Sequence, residues 1–572
     1  MKIFLAQQNY HIGNFESNTR KIIEAVERAK SMGADLAVFS ELSICGYPPR
    51  DFLEFSDFIE QCDTAIKTIA EHADNIGVIV GAPQRNPAAE GKDLFNAAWL
   101  LSDKKVQAVV HKTLLPTYDV FDEYRYFEPA YEWNVVPFKG VNIALTICED
   151  IWNLGDNPLY RVCPMDRLMS QQPQVMINIS ASPFDYDHDE DRKEVIRQNV
   201  KKYRLPIVYC NAVGSQTEIV FDGGSLVYSG KGELIREMKY FEEDEYLANL
   251  DLSKKGDAAD VDATVHGEVF DKEMRVSKTK DPDQVINYLT NENNIGQIHK
   301  ALILGIRDYF DKMGFRKAIL GSSGGIDSAV TLALACEALG KENVLAVLMP
   351  SPYSTSHSVD DAVELSRKLG NPYEIIPIKD IYESFLSALK PQFRDLPFSV
   401  AEENIQSRTR GNLLMAIANK FGYILLNTSN KSELATGYGT LYGDMAGGLS
   451  VLGDVYKMQV FALAKFINKK GGVIPENIIT KAPSAELRPN QKDSDSLPEY
   501  DLLDKVLYQY IERRQGPGEI ISMGIDESLV KRVLKMVNVN EYKRNQFCPI
   551  IRVSAKAFGV GRRVPIVGKY LS

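Results

Sequence analysis

A chain of 572 residues is longer than one hydrophobic core supports, so at least two domains are expected. With 44% hydrophobic and 25% charged residues the composition is that of an ordinary globular enzyme, which excludes a disordered or fibrous chain. The net charge of −11 excludes a sequence-independent grip on nucleic acid, which draws on clustered Lys and Arg, but leaves room for a local basic pocket that takes an anionic small molecule.

The N-terminus, MKIFLAQQNY, reads as a first strand; one Lys, a very short apolar run and no small-residue cleavage site argue against a signal peptide. No apolar stretch approaches the roughly 20 residues of a bilayer-spanning helix, so no membrane partner and a cytoplasmic location are expected. The cysteines at 45, 62, 148, 163, 210, 336 and 548 are odd in number and never form CxxC. They are expected to be reduced thiols, neither a disulfide framework nor a zinc site.

Residues 1 to 250 alternate β-rich runs (LAVFSEL, GVIVGAP, AAWLLS, VNIALTICED, VMINISAS, PIVYCNAV, GSLVYS) with amphipathic stretches such as NTRKIIEAVERAKSMG, the pattern of a layered α/β domain. From 251 to 294 the text turns polar and acidic, and a linker is placed there. From 295 to 572 the pattern restarts: helix, strand AILGSSGG, helix SAVTLALACEALG, strand VLAVLMP, helix DDAVELSRKLG, strand EIIPI. Such alternation predicts a doubly wound parallel sheet with ligands at the carboxyl ends of its strands.

The stretch LGSSGGIDSAVTLALA sets Gly321, Ser322, Ser323, Gly324, Gly325, Ile326, Asp327 and Ser328 between an apolar strand and an apolar helix. Glycines let backbone N–H groups approach a phosphate, and the helix N-terminus adds partial positive charge. No Lys follows the glycines, so this is not the loop that grips β and γ phosphates. SGGxDS resembles the loop of the ATP pyrophosphatase family, the adenine nucleotide alpha-hydrolases, whose members attack the α-phosphate and release pyrophosphate. That resemblance implies ATP as a substrate and Mg²⁺ held in part by Asp327.

Downstream, NIQSRTRGNLLMAIANKFGYILLNTSNKSELATGYGTLYGDMAGGLSVLGDVYKMQV, KAPSAEL, DSDSLPEYDLLD and EYKRNQFCPI resemble NAD synthetases. The resemblance implies that Arg410 and Thr428 serve ATP and that Asn404, Arg408, Glu433, Lys457 and Lys543 meet deamido-NAD, with Glu433 also reaching the metal. Arg408 and Arg410, two apart on a predicted helix, cannot share one face and suit two different ligands.

In the first half, FSELSICGYPP, VVHKTLLPTYDVFDE and VNIALTICEDIW each set a reactive residue after an apolar strand: Glu41, Lys112 and Cys148. Together they resemble the nitrilase superfamily, an α-β-β-α sandwich. The trio covers amide hydrolysis: a thiol that forms a γ-glutamyl thioester, a carboxylate that moves protons, and an ammonium that stabilises the oxyanion and favours thiolate. The resemblance also suggests Tyr118, Glu149 and Ser182 around glutamine. His188, inside an acidic run, stands where related glutaminase domains carry a basic residue, and a neutral His would weaken an ion pair with the substrate carboxylate.

Taken together, the halves resemble the glutamine-dependent NAD synthetases, ligases that adenylate deamido-NAD and aminate it with ammonia cut from glutamine. The same resemblance implies homo-oligomers built from synthetase-domain dimers. Other enzymes with this loop amidate XMP or aspartate, or thiolate tRNA. A tRNA-thiolating enzyme needs a basic face, and GMP synthetase carries a glutaminase without this Glu-Lys-Cys order.

Overall fold

The computed structural model describes residues 1–154, 159–186, 188–256, 261, 281–394, 396–469, 471–489 and 491–570, with the side chains of His188 and Asp189 outside that description. The chain divides into two compact units, Met1–Arg275 and Val276–Ser572. Residues 257–260 and 262–280, a large part of the stretch read as a linker, lie outside the described residues. Among the described residues no helix is long and apolar enough to cross a membrane.

The first unit holds two six-stranded sheets. One runs β14 (Asp244–Asn249), β1 (Lys2–Gln7), β2 (Leu36–Val38), β3 (Gly77–Arg85), β4 (Leu94–Ser102), β5 (Lys105–His111). The other runs β13 (Leu234–Glu237), β12 (Leu226–Tyr228), β9 (Ile207–Asn211), β8 (Val175–Ser180), β7 (Val141–Ile147), β6 (Val136–Phe138), and a hairpin of β10 (Val213–Gln216) and β11 (Ile219–Asp222) stands beside them in sequence.

Because side chains alternate along a strand, each sheet buries two different faces. Ile3 and Leu5 of β1 share one core with Ile143, Leu145 and Ile147 of β7, which is the contact of sheet on sheet. Phe4 and Ala6 turn the other way, into a core with α1 (Phe15–Ser31) and α2 (Ser56–Glu71). On the far side Ala144, Met176 and Tyr209 pack with α3 (Pro164–Leu168) and α4 (His188–Tyr203). The layers are therefore α-β-β-α. Helix α1 shows why the sequence chooses this: Ile22, Ala25, Val26 and Ala29 form one buried stripe, and the Asn14 side chain caps its start by accepting from Ser17 N–H.

The second unit is built on a five-stranded, wholly parallel sheet in the order β17 (Tyr373–Ile375), β16 (Val344–Leu348), β15 (Lys317–Gly321), β18 (Tyr423–Asn427), β19 (Leu449–Ser450). After the short α5 (Val285–Leu289) come α6 (Glu292–Met313), α7 (Ile326–Leu339), α8 (Ser356–Leu369), α9 (Lys379–Phe393), α10 (Val400–Phe421), α11 (Lys431–Thr436) and α12 (Lys457–Asn468). Ile319, Val347 and Leu425 of the sheet pack against Leu414 and Ala418 of α10. Winding from β15 goes outward to β16 and β17, then returns past β15 to β18, so a crevice opens between the carboxyl ends of β15 and β18. Of the expected strand EIIPI, Glu374 and Ile375 fall in β17, and beyond it Ile376 and Ile378 N–H still donate to the Leu348 and Pro350 carbonyls at 2.8 and 3.0 Å.

Candidate active sites

In the first unit Glu41 follows β2, Lys112 follows β5 and Cys148 follows β7, each at the end of a strand that the sheets hold in register. The three come from distant sequence, and the fold brings the first two together: Lys112 Nζ lies 2.8 Å from Glu41 Oε1. Both side chains are fully buried. Parallel pairing sets Ile147 of β7 opposite Ile179 of β8, so the turn at Cys148 and the end of β8 share one edge. The Asn178 side chain donates to the Cys148 carbonyl at 3.4 Å, and Ala181 N–H donates to Glu41 Oε2 at 3.0 Å.

Cys148 begins a tight 3₁₀ turn, Cys148–Ile151, with φ +43°, a left-handed conformation that an L-residue adopts only under constraint. Asp150 supplies the constraint. One of its oxygens accepts from the N–H groups of Thr113 and Leu114 at 3.0 and 2.9 Å, and the other from Ile147 N–H at 3.0 Å. The Cys148 turn is thus tied to the segment that carries Lys112. Burial pushes the Asp150 carboxyl up to about 7, against those backbone donors.

Sequence reasoning missed Glu123, a second carboxylate on the same lysine. Its Oε1 lies 2.8 Å from Lys112 Nζ and accepts from the Tyr47 hydroxyl at 2.8 Å, while Asn96 donates to both glutamates. Burial raises Glu123 to about 7, opposed by Lys112. Lys112 itself is disfavoured as a cation by burial, yet Glu123 and Glu41 outweigh that and hold it firmly protonated.

The Lys112 ammonium favours the Cys148 thiolate, as expected, but it is outweighed. Burial drives the thiol well up, Glu41 adds to this, and the ammonium only partly opposes it. Attack through the Cys148 sulfur would therefore call for a base that takes the thiol proton. Of the expected glutamine contacts, Tyr118 donates to Glu149 Oε2 at 2.9 Å, and Ser182 N–H donates to Asn211 Oδ1 at 2.9 Å. His188 opens α4, and its side chain lies outside the described residues. All seven cysteines are free.

In the second unit a cavity of about 310 Å³ fills the crevice at the switch between β15 and β18. Gly321, Ser322, Ser323, Gly325, Ile326, Asp327 and Ser328 line it from the β15 to α7 turn. Gly324 turns away. Its φ is +79°, and a Cβ there would meet the Ser358 carbonyl oxygen at 2.2 Å, so only glycine lets the loop seat against α8. Ser323 N–H donates to Ser328 Oγ at 3.3 Å, which closes the turn at the head of α7. The Ser322 hydroxyl is buried with no hydrogen-bond partner among the described residues, which suits a cradle whose missing acceptor is a phosphate oxygen.

Arg410 and Thr428 line the same cavity, and Arg410 Nε donates to the Met349 carbonyl at 3.0 Å. Arg408 is exposed instead and donates to the Leu441 carbonyl at 3.1 Å. The five residues expected at deamido-NAD divide into two groups. Asn404, Arg408 and Lys543 converge on the segment 437–441: Asn404 Oδ1 accepts from the Thr440 hydroxyl, and Lys543 donates to the backbone carbonyls of Gly437 and Gly439, both at 2.8 Å. Glu433 and Lys457 sit deeper, beside Asp327. Lys457 Nζ lies 2.6 Å from Asp327 Oδ2 and 3.5 Å from Glu433 Oε1. Burial, then Asp327, push the Glu433 carboxyl up to about 8.

Asn430, which caps α11, donates to Asp327 Oδ1 at 2.8 Å. The sequence also hid Asp493, Lys481 and Glu486, which line the cavity from the segments DSDSL and KAPSAEL. Glu486 accepts from Ser358 at 2.7 Å and Thr355 at 2.9 Å; Lys481 pairs with Asp361 at 3.1 Å. Among the described residues no group of three or more His, Cys, Asp or Glu side chains is disposed to hold a metal by itself. Two carboxylates facing one cationic point, Asp327 and Glu433, are what Mg²⁺ takes when nucleotide phosphates complete its shell.

The carbon-nitrogen hydrolase family profile matches residues 2–260, and the NAD synthase profile matches residues 298–547. The glutamine-dependent NAD(+) synthetase of Synechocystis sp. is 43% identical over 571 residues, 99% of this chain and 98% of that one. The protein of the same name from Thermotoga maritima is 40% identical over 589 residues, covering 100% and 99%. Among solved structures, the glutamine-dependent NAD+ synthetase of Acinetobacter baumannii in complex with ADP is 38% identical, covers 100% of this chain and 99% of that chain, and superposes with a TM-score of 0.74. With a buried Glu-Lys-Cys centre in one unit, an anion-cradling loop in the other and relatives that match from end to end, the chain belongs to the glutamine-dependent NAD(+) synthetase family.

Proposed function

We propose that the chain converts deamido-NAD to NAD, forming a C–N bond with ATP as activator and glutamine as nitrogen donor. The observation that carries the reading is the presence, in one chain of this family, of Cys148 beside a buried Glu41–Lys112 pair and of an SGGxDS loop lining a crevice at the sheet's switch point.

At the first centre Glu41 takes the Cys148 thiol proton as sulfur attacks the glutamine carboxamide, and it returns that proton to the departing nitrogen, which leaves as ammonia. Lys112 stabilises the oxyanion. Water then attacks the γ-glutamyl thioester, with Glu41 again as base, and glutamate leaves. Tyr118, Glu149, Ser182 and His188 are assigned to the glutamine side.

At the second centre the deamido-NAD carboxylate attacks the ATP α-phosphorus, pyrophosphate leaves, and ammonia displaces AMP from the acyl-adenylate. The residues from Gly321 to Ser328, with Arg410 and Thr428, hold ATP. Asn404, Arg408, Lys457 and Lys543 hold the dinucleotide. Asp327 and Glu433 would hold Mg²⁺, which neutralises phosphate charge. Ammonia that passes between the centres without equilibrating with bulk water stays unprotonated and nucleophilic. A homo-oligomer of synthetase dimers and a cytoplasmic setting complete the reading.

The experiment is NAD formation by the Cys148→Ala protein, with glutamine and separately with ammonium. Loss with glutamine and retention with ammonium is expected; retained glutamine activity would overturn the assignment.

A further inference from the structure

The Lys457 ammonium lies where the metal is expected. It approaches Asp327 Oδ2 at 2.6 Å and Glu433 Oε1 at 3.5 Å, with the Tyr500 ring face 5.1 Å away, and the residue is only 2% exposed. Asp493 adds a third acidic charge to the surroundings and is itself held by the hydroxyls of Tyr438 and Tyr500 at 3.1 and 2.9 Å. The lysine is the first residue of α12, and its own N–H donates to Ser432 Oγ at 2.9 Å. Its backbone is therefore fixed, and the ammonium is carried on a four-carbon stem with rotatable bonds.

We propose that Lys457 is a tethered counter-ion that keeps the divalent seat filled until nucleotide arrives. Two carboxylates at one point repel each other, and an ammonium 2.6 Å from one and 3.5 Å from the other offsets part of that repulsion. A divalent ion entering alone would have to displace it against like charge. An ion entering with ATP brings phosphate oxygens that give the ammonium a new partner as it leaves. Lys457 thus acts as a positioning residue that makes metal uptake depend on nucleotide. This rests on Asp327 and Glu433 being the metal's seat.

The test is Mn²⁺ binding to the nucleotide-free, full-length protein, read by electron paramagnetic resonance. Wild type is expected to bind weakly without nucleotide and to take up one ion per chain when a non-hydrolysable ATP analogue is added. Lys457→Met is expected to bind one Mn²⁺ without nucleotide at least about tenfold more tightly than wild type, because a neighbouring like charge is gone. Lys457→Gln, which keeps a polar end, should show the same direction and guards against a folding defect in the Met variant. In the double variant Asp327→Asn, Lys457→Met the gain should vanish. If neither Lys457 variant binds more tightly while wild type takes up analogue-dependent Mn²⁺ through Asp327, the counter-ion role is wrong and the seat stands. Should the double variant keep the gain, the seat itself has been misplaced.

Discussion

Glu123 and Lys112 share a buried hydrogen bond of 2.8 Å, which gives the Lys112 ammonium a second carboxylate besides Glu41. One cation between two anions holds Glu41 at a fixed point and keeps Lys112 charged in a dry site. Replacing Glu123 with Gln removes one anion and leaves the shape. Glutamine hydrolysis is expected to fall roughly 10- to 100-fold, less than the roughly 100- to 1000-fold cost of removing a direct oxyanion donor, because Glu123 acts through Lys112. Ammonium-driven NAD formation should not change. Glutamate release and NAD formation measured in parallel separate the two.

Gly324→Ala places a methyl 2.2 Å from the Ser358 carbonyl oxygen at a φ of +79°. The loop must move off α8 or carry about 1–3 kcal/mol of strain. NAD formation should slow by at least about tenfold with both nitrogen donors, since about 1.4 kcal/mol on the barrier already does that. Glutamate release without ATP and deamido-NAD reports on the other unit and should persist. Unaltered synthesis would show that the loop tolerates a side chain there.

Lys431 is wholly buried and bonds Asp454 at 2.9 Å, Glu512 at 2.7 Å and the Ser554 hydroxyl at 2.8 Å. It adjoins Asn430, whose side chain holds Asp327, so the network fixes the start of α11 beside the proposed metal seat. Lys431→Met strands two buried carboxylates and should cost about 3–5 kcal/mol. Chemical denaturation followed by a probe in the second unit would measure this. Adding Glu512→Gln should recover part of the loss; strict additivity of the two changes would deny the coupling.

His111, stacked on Phe95 with ring centroids 3.9 Å apart, has its imidazole pushed down to about 4 by burial. In the unfolded chain it titrates at its ordinary value of 6.5, so between pH 6.5 and 4 the unfolded state binds the extra proton. The stability this neutral ring contributes is present above pH 6.5 and is lost as pH falls from there through 4. A His111→Gln protein should lose less melting temperature than wild type over that window. Equal losses would show that His111 is not the group responsible.

Much of this architecture was legible in the residues because the signals are local. The buried stripe of α1, the run VNIALTI ahead of Cys148 and the strand-turn-helix text around Gly324 are each written within a few turns of chain. Half-exposed edge strands were not legible: β13 and β14 carry charges on a short, weakly alternating pattern, and they exist because a neighbour's backbone pairs with them.

By itself the sequence determined which residue types stand at strand ends, that a glycine loop opens an apolar helix, and so which two chemistries the chain could hold. Only the tertiary structure decided their company. Glu123 joins Lys112 from 11 residues on, and Asp150 ties the Cys148 turn to Lys112's segment. Lys457 sits against Asp327 from 130 residues away. It also set burial and Glu41 against the thiolate that Lys112 favours at Cys148, and the thiol is pushed well up. The physical reason is common to all of these. Desolvation and charge pairing depend on what surrounds a group in space, and spacing along the chain does not encode that enclosure.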